Sequence, residues 1–146
     1  RLLKSVYLAE GALAARNRLL MEKYAAMQAE ACAECWNTDD AELVVGAFGS
    51  MARIARSAIR KLREEGLKAG LFRPKTLYPF PADALRALAP GRRFLVIEQN
   101  TGQMVEDVRL SLMGENAKVD WHGVMPGLFI GADALEDPIR QACKEN

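Results

Sequence analysis

The chain has 146 residues, half of them hydrophobic, with a formal net charge of +1, which is enough apolar material for one domain, or one domain with an appended helix, around a real core. Balanced charge gives no reason to expect nucleic-acid or anionic-membrane partners, because both require clustered basic excess. No apolar run is long enough to span a bilayer and no signal-peptide pattern opens the chain, so the expected compartment is the cytoplasm.

The chain begins at Arg1, without Met and inside an amphipathic segment, as a piece of a longer polypeptide would. Residues 1–30 read as a linker and helix, and residues 31–146 as the domain proper. Leu13, Leu20, Tyr24, Met27 and Ala31 share one helical stripe, which predicts a helix over residues 11–30 that starts outside the core unit. Residues 31–36 either extend that helix or form a short edge strand, the latter preferred, and residues 37–40 form a turn. Cys32, Cys35 and Cys143 cannot close a disulfide framework, and one C-x-x-C pair falls short of the four ligands of a zinc or iron–sulfur site, so all three read as reduced thiols.

Residues 43–81 spell a complete strand, helix and strand. Residues 43–48 are an apolar run bounded by glycines, as suits a strand buried on both faces of a parallel sheet. The helix that follows places Met51, Ile54, Ala55, Ala58, Ile59 and Leu62 on one face and Arg53, Arg56, Arg60, Lys61 and Arg63 largely on the other, with Ser50 as its cap and Gly66 at its end. Residues 67–72 read as a second strand, parallel to the first and close to it through a right-handed crossover. Pro74, Pro79 and Pro81 then fix an extended, rigid connection. A short helix over 82–88 is broken by Pro90-Gly91, and residues 93–98 give a third parallel strand. A polar loop, 99–103, opens a helix with Met104, Val105, Val108 and Leu112 on one side. A last strand is expected over 118–122 and a loop over 123–131. Asp137-Pro138 reads as a cap with proline at the first position of a terminal helix that turns Ile139 and Ala142 inward. The alternation gives an α/β fold, a three-layer α/β/α sandwich around a mostly parallel sheet.

Ligands in open α/β sheets sit beyond the carboxyl ends of the strands, which directs attention to Gly49-Ser50, residues 73–81 and residues 99–103. Ser50 with the amides of Met51 and Ala52, and Arg73 as counter-charge, is a candidate anion site; the alternative is that Ser50 only caps and Arg73 pairs with a carboxylate. Gly46-x-x-Gly49 lacks dinucleotide spacing and no P-loop lysine follows. His122 is the single histidine, with no nucleophile elbow before it, and reads as structural. Glu98, Asp39, Asp40, Glu106 and Asp107 have no spacing that implies a metal or a catalytic carboxylate pair, and Met51, Met104 and Met113 read as core filler. The residues thus describe an α/β domain without a self-contained active site.

Three motifs in order carry a resemblance over residues 40–112: Gly49-Ser50 with Arg53, the block LFRPKTLYPFP at 71–81, and Glu98-x-Asn100-x-Gly102-Gln103-Met104. Together they resemble the carboxyl-terminal domain of the α-subunit of 2-oxoacid:ferredoxin oxidoreductases, and the TLYPFP turn looks more like the 2-oxoglutarate and branched-chain types, with Tyr78 where the family usually has Trp. The resemblance implies a transketolase carboxyl-terminal-like domain with a five-stranded mixed, mostly parallel sheet whose first strand is antiparallel. It implies an enzyme that converts a 2-oxoacid and coenzyme A to acyl-CoA and carbon dioxide with thiamine diphosphate and magnesium, sending electrons through iron–sulfur clusters to ferredoxin. The implied partners are the pyrimidine-binding domain of the same subunit, a diphosphate-binding β-subunit, a ferredoxin-like subunit and ferredoxin. In that setting this piece carries no catalytic, cofactor or metal residues of its own. Ser50, Arg53, Arg73, Asn100 and Gln103 are candidates for an anion or interdomain contact. The rival readings are a self-sufficient small-anion-binding module, and the equivalent domain of a transketolase or of the β-subunit of a decarboxylating dehydrogenase.

Overall fold

A computed structural model describes residues 6–144. Helix α1 (Ala12–Met27) runs into a 3-10 turn (Gln28–Glu30) and then strand β1 (Ala33–Trp36). Strand β2 (Leu43–Gly46), helix α2 (Gly49–Glu64) and strand β3 (Ala69–Pro74) form the crossover unit read from the sequence. Helix α3 (Ala82–Arg86), strand β4 (Arg93–Glu98), helix α4 (Met104–Ser111), strand β5 (Val119–Gly123) and helix α5 (Asp133–Lys144) complete the chain.

The sheet has five strands in the order β1-β3-β2-β4-β5, all parallel except β1, which runs antiparallel to β3 with Ala33 opposite Pro74 and Cys35 opposite Phe72. The parallel strands are nearly continuously apolar because both sheet faces are covered. Leu43, Val45, Ala69, Leu71, Leu95 and Ile97 face a core completed by α2 and α5. Val44, Phe72, Phe94 and Val96 face the opposite core, closed by α3 and α4. Ile59 and Leu62 of α2 are fully buried, each contributing about 1.5–3 kcal/mol.

Several local expectations shift by a few residues, for physical reasons. Helix α5 begins at Asp133, and Pro138 lies inside it, because Leu135, fully buried, extends the inward stripe of Ile139 and Ala142 by one more turn. Ser50 does not cap α2: Phe48 is the flanking residue, the chain enters through Gly49 at φ 58°, and no side chain bonds the first amides. Arg73 and Pro74 belong to β3 rather than to the connection after it, because β1 pairs along that length. Helix α1 buries none of its side chains, so the stripe read from its spacing does not enter the core; Leu20 and Met27 are half-buried and Leu13 is exposed.

Candidate functional site

Four parallel strands end on one edge of the sheet, and the loops leaving it are 47–48, 75–81, 99–103 and 124–131. The centre of this edge is Glu98, the last residue of β4. Its side chain is fully buried and accepts three hydrogen bonds: from Met104 N to Oε2 at 2.8 Å, from Val105 N to Oε1 at 3.1 Å and from Trp121 Nε1 to Oε1 at 3.0 Å. Two of these donors are the first amides of α4, where the helix dipole also favours a negative charge. Asn100 Oδ1 accepts from the amides of Gly102 at 2.8 Å and Gln103 at 3.2 Å, folding the loop back on itself.

The indole of Trp121 leaves no space for a side chain at position 123: a Cβ there would lie 2.3 Å from Trp121 Cζ2 and 3.1 Å from the Asn100 carbonyl oxygen. Gln99 reaches the next loop, donating from Nε2 to the Leu128 carbonyl at 2.7 Å.

Beside this knot a cleft of about 320 Å³ opens between the start of α2 and loop 124–131, lined by Ser50, Ile54, Gln99, Gly127, Leu128, Phe129 and Ile130. The edge also presents apolar side chains to solvent: Phe129 is wholly exposed, Tyr78 63%, Met125 63% and Leu128 58%.

The sequence-derived candidates fall into two places. Ser50 lines the cleft, and Asn100 and Gln103 sit on the loop beside it, Gln103 and Arg53 with exposed side chains. Arg73 is elsewhere, on the β1 side: its Nη1 donates to Glu34 Oε2 at 3.2 Å, while Arg56 Nη1 donates to Glu34 Oε1 at 3.2 Å and lies 4.7 Å from the centre of the Trp36 ring. A single carboxylate therefore occupies both arginines, and Arg73 is not available as counter-charge at Ser50.

His122 lines a separate groove of about 210 Å³ with Asp120, Trp121, Pro138 and Gln141. Among the described residues no group of three or more His, Cys, Asp or Glu side chains converges. Both carboxylate oxygens of Glu98 are taken by N–H donors. Cys32 and Cys35 are free and exposed, and burial, followed by the charge of Asp39, pushes the Cys35 thiol up. Among the described residues, then, no side-chain cluster is assembled that fits magnesium or an iron–sulfur cluster.

Glu98 stands in the third sequence motif and is weighed only as a metal or catalytic carboxylate; its role in tying the edge together is not read from the sequence. Its signal was present: an acidic residue closing an otherwise apolar strand, RFLVIE, a few residues before a helix.

The family described as pyruvate:ferredoxin oxidoreductase core domain II matches residues 41–128. The ketoisovalerate oxidoreductase subunit VorB of Methanothermobacter thermautotrophicus is 45% identical over 112 residues, covering 75% of this chain and 32% of that protein. The 2-oxoglutarate synthase subunit KorA of Methanocaldococcus jannaschii is 44% identical over 69 residues, 47% of this chain and 19% of the relative. The chain thus spans about a third of the length of VorB, at 32%. Among solved structures, the 2-oxoglutarate:ferredoxin oxidoreductase from Magnetococcus marinus, with 2-oxoglutarate, coenzyme A and succinyl-CoA bound, superposes with a TM-score of 0.73 at 19% identity, over 94% of this chain and 24% of that one. A split-gene transketolase, an inactive β4 tetramer, gives 0.62 at 20% identity over 72% of this chain and 39% of that one. The two structural likenesses show the fold: a five-stranded mixed sheet with helices on both faces, shared by oxidoreductase and transketolase domains. With the family match covering residues 41–128, the chain belongs to the pyruvate:ferredoxin oxidoreductase core domain II family.

Proposed function

We propose that this domain is a non-catalytic packing element of a cytoplasmic, thiamine-diphosphate-dependent 2-oxoacid:ferredoxin oxidoreductase of the branched-chain or 2-oxoglutarate type. The whole enzyme would convert a 2-oxoacid and coenzyme A to acyl-CoA and carbon dioxide and pass electrons to ferredoxin. Thiamine diphosphate, magnesium and the iron–sulfur clusters would be held by other parts of the complex: the pyrimidine-binding domain of the same subunit, the β-subunit and the ferredoxin-like subunit. Residues 1–30 then serve as the linker and helix, and residues 31–146 as the packing domain. The ketoisovalerate and 2-oxoglutarate relatives support the choice of type.

One observation carries the packing role: Tyr78, Met125, Leu128 and Phe129 stand exposed on loops that leave the same sheet edge as the polar loop 99–103. Ser50, Arg53, Asn100 and Gln103 would contact the neighbouring domain at this edge, and Arg73 would support it from the β1 side.

Calorimetry of the 146-residue chain tests the non-catalytic part of the reading. Thiamine diphosphate with magnesium, coenzyme A and 2-oxoacids are each expected to give no saturable heat in the micromolar range, and such binding of any one would overturn it. Hydrogen exchange in the assembled enzyme tests the packing part. Residues 75–81, 99–103 and 124–131 should be protected there and labile in the isolated chain; equal lability in both would refute the assignment of this edge.

A further inference from the structure

We infer that Glu98 is the positioning residue that sets the shape of the carboxyl edge: its buried carboxylate holds the end of loop 99–103 and the Trp121 indole, and its carbonyl oxygen holds the first residue of loop 124–131, so the two loops are ordered as a unit. Four independent contacts converge on it. The amides of Met104 and Val105 end loop 99–103 on its two oxygens, at 2.8 and 3.1 Å. The Trp121 indole donates to Oε1 at 3.0 Å and packs flat enough on the chain that position 123 has no space for a side chain. The Glu98 carbonyl oxygen accepts from Val124 N at 2.9 Å, the first residue of the second loop. Its sequence neighbour Gln99 then fastens the same loop at Leu128, at 2.7 Å.

A fully buried carboxylate is costly unless its lone pairs are occupied, and here three N–H groups occupy them, two with the favourable orientation of a helix amino terminus. Met104 and Val105 are buried, so removing the acceptor strands their amides, whereas Trp121 is 42% exposed and loses chiefly its tether to this edge. No arginine, lysine or histidine is needed to neutralise the charge. The consequence is specific to position. The strand interior has its own ladder bonds and does not depend on this group, whereas both loops do. The inference holds whatever docks at the edge.

Glu98→Gln separates this role from ordinary packing, because it keeps the shape while replacing one acceptor oxygen with an NH₂ group. The single carbonyl oxygen can serve Val105 and Trp121 or Met104, but not all three, so at least one donor is left without a partner. In the uniformly ¹⁵N-labelled chain, exchange of the Trp121 indole N–H or of the Met104 and Val105 amides should quicken about tenfold or more. The Val124 amide, which follows Gly123 under the Trp121 indole, should quicken with them, while amides of β2 and the Trp36 indole should hold their wild-type rates. Trp121→Phe, which removes one donor and leaves the carboxylate, should quicken the Val124 amide and leave Met104 and Val105 protected. Unchanged exchange at all these sites in Glu98→Gln, or acceleration spread evenly into β2, would overturn the inference. If Glu98→Gln does not fold, Trp121→Phe decides alone: quickening at Val124 with Met104 and Val105 still protected supports the assignment, and no quickening at Val124 overturns it.

Discussion

Two glycines on neighbouring buried strands should respond to the same substitution with opposite sign. At Gly70 in β3, an added Cβ would stand 2.5 Å from the Asn37 carbonyl oxygen and 3.0 Å from both Asn37 C and Thr38 Cα, all backbone atoms of the turn before β2. That turn cannot easily yield, since Asn37 is already at φ 51° and Thr38 is buried. Overpacking of this kind costs about 1–3 kcal/mol. Against it stands the lower entropy of the unfolded chain, worth about 0.4–1 kcal/mol, which is fully available because Gly70 does not occupy the left-handed region. The net expectation for Gly70→Ala is a loss of about 1–2 kcal/mol, or a fall in melting temperature of about 3–8 °C for a domain of this size. At Gly46 in β2 the nearest atom to the new methyl is Val96 Cγ2 at 3.7 Å, an ordinary contact. Gly46→Ala should therefore be neutral or more stable by up to about 1 kcal/mol. Urea unfolding followed by circular dichroism measures both. Gly70→Ala melting at or above wild type, or Gly46→Ala losing as much as Gly70→Ala, would refute the argument.

Ser50→Ala should change stability by less than about 0.5 kcal/mol, since no side chain caps α2; a loss of 1 kcal/mol or more by urea titration would restore Ser50 as a cap. Acid should weaken the fold through its paired carboxylates. The hydrogen bond from Arg63 holds Asp40 below its ordinary 3.8, and that from Arg140 holds Glu65 below its ordinary 4.5, so the stabilisation is present above those values and is lost as pH falls through the lowered ones. Urea midpoints measured from pH 6 to pH 3 should drop less steeply in Arg63→Gln than in wild type; parallel curves would contradict the pairing. Asp39→Asn should quicken the reaction of Cys35 with a thiol reagent near pH 8, because burial first and the Asp39 charge second hold that thiol up, and an unchanged rate would count against the second cause.

Where a segment's fate depends on itself, the sequence was informative. RFLVIE is apolar from end to end, bounded by Pro90-Gly91 and a polar loop, and β4 covers residues 93–98 as read. The crossover 43–72 was legible for the same reason, its helix showing a buried face and a basic one. Local signatures failed where burial overrode them. Asp137-Pro138 is a strong helix-start signal, but Leu135, fully buried, draws the start of α5 back to Asp133. Residues 31–36 read as a helix extension or, by preference, an edge strand, and pairing with Phe72 and its neighbours makes residues 33–36 a strand. The knot at Glu98 was the least legible part, since its donors lie six, seven and twenty-three residues away and converge only once β4 and β5 are adjacent. The same long-range pairing hid the engagement of Arg73 with Glu34, thirty-nine residues apart.

The reversed direction of β1 also has a consequence for α1. Because Ala33 lies opposite Pro74, and the Cys32 carbonyl accepts from Lys75 N at 2.8 Å, the chain joins the sheet at the edge from which loops 75–81, 99–103 and 124–131 leave. Tyr24 of α1 meets Tyr78 there edge to face, with ring centres 6.2 Å apart. The carboxyl end of α1, a helix of 16 residues that buries none of its own side chains, is thereby pinned at that edge by strand pairing and a ring contact rather than by a core of its own.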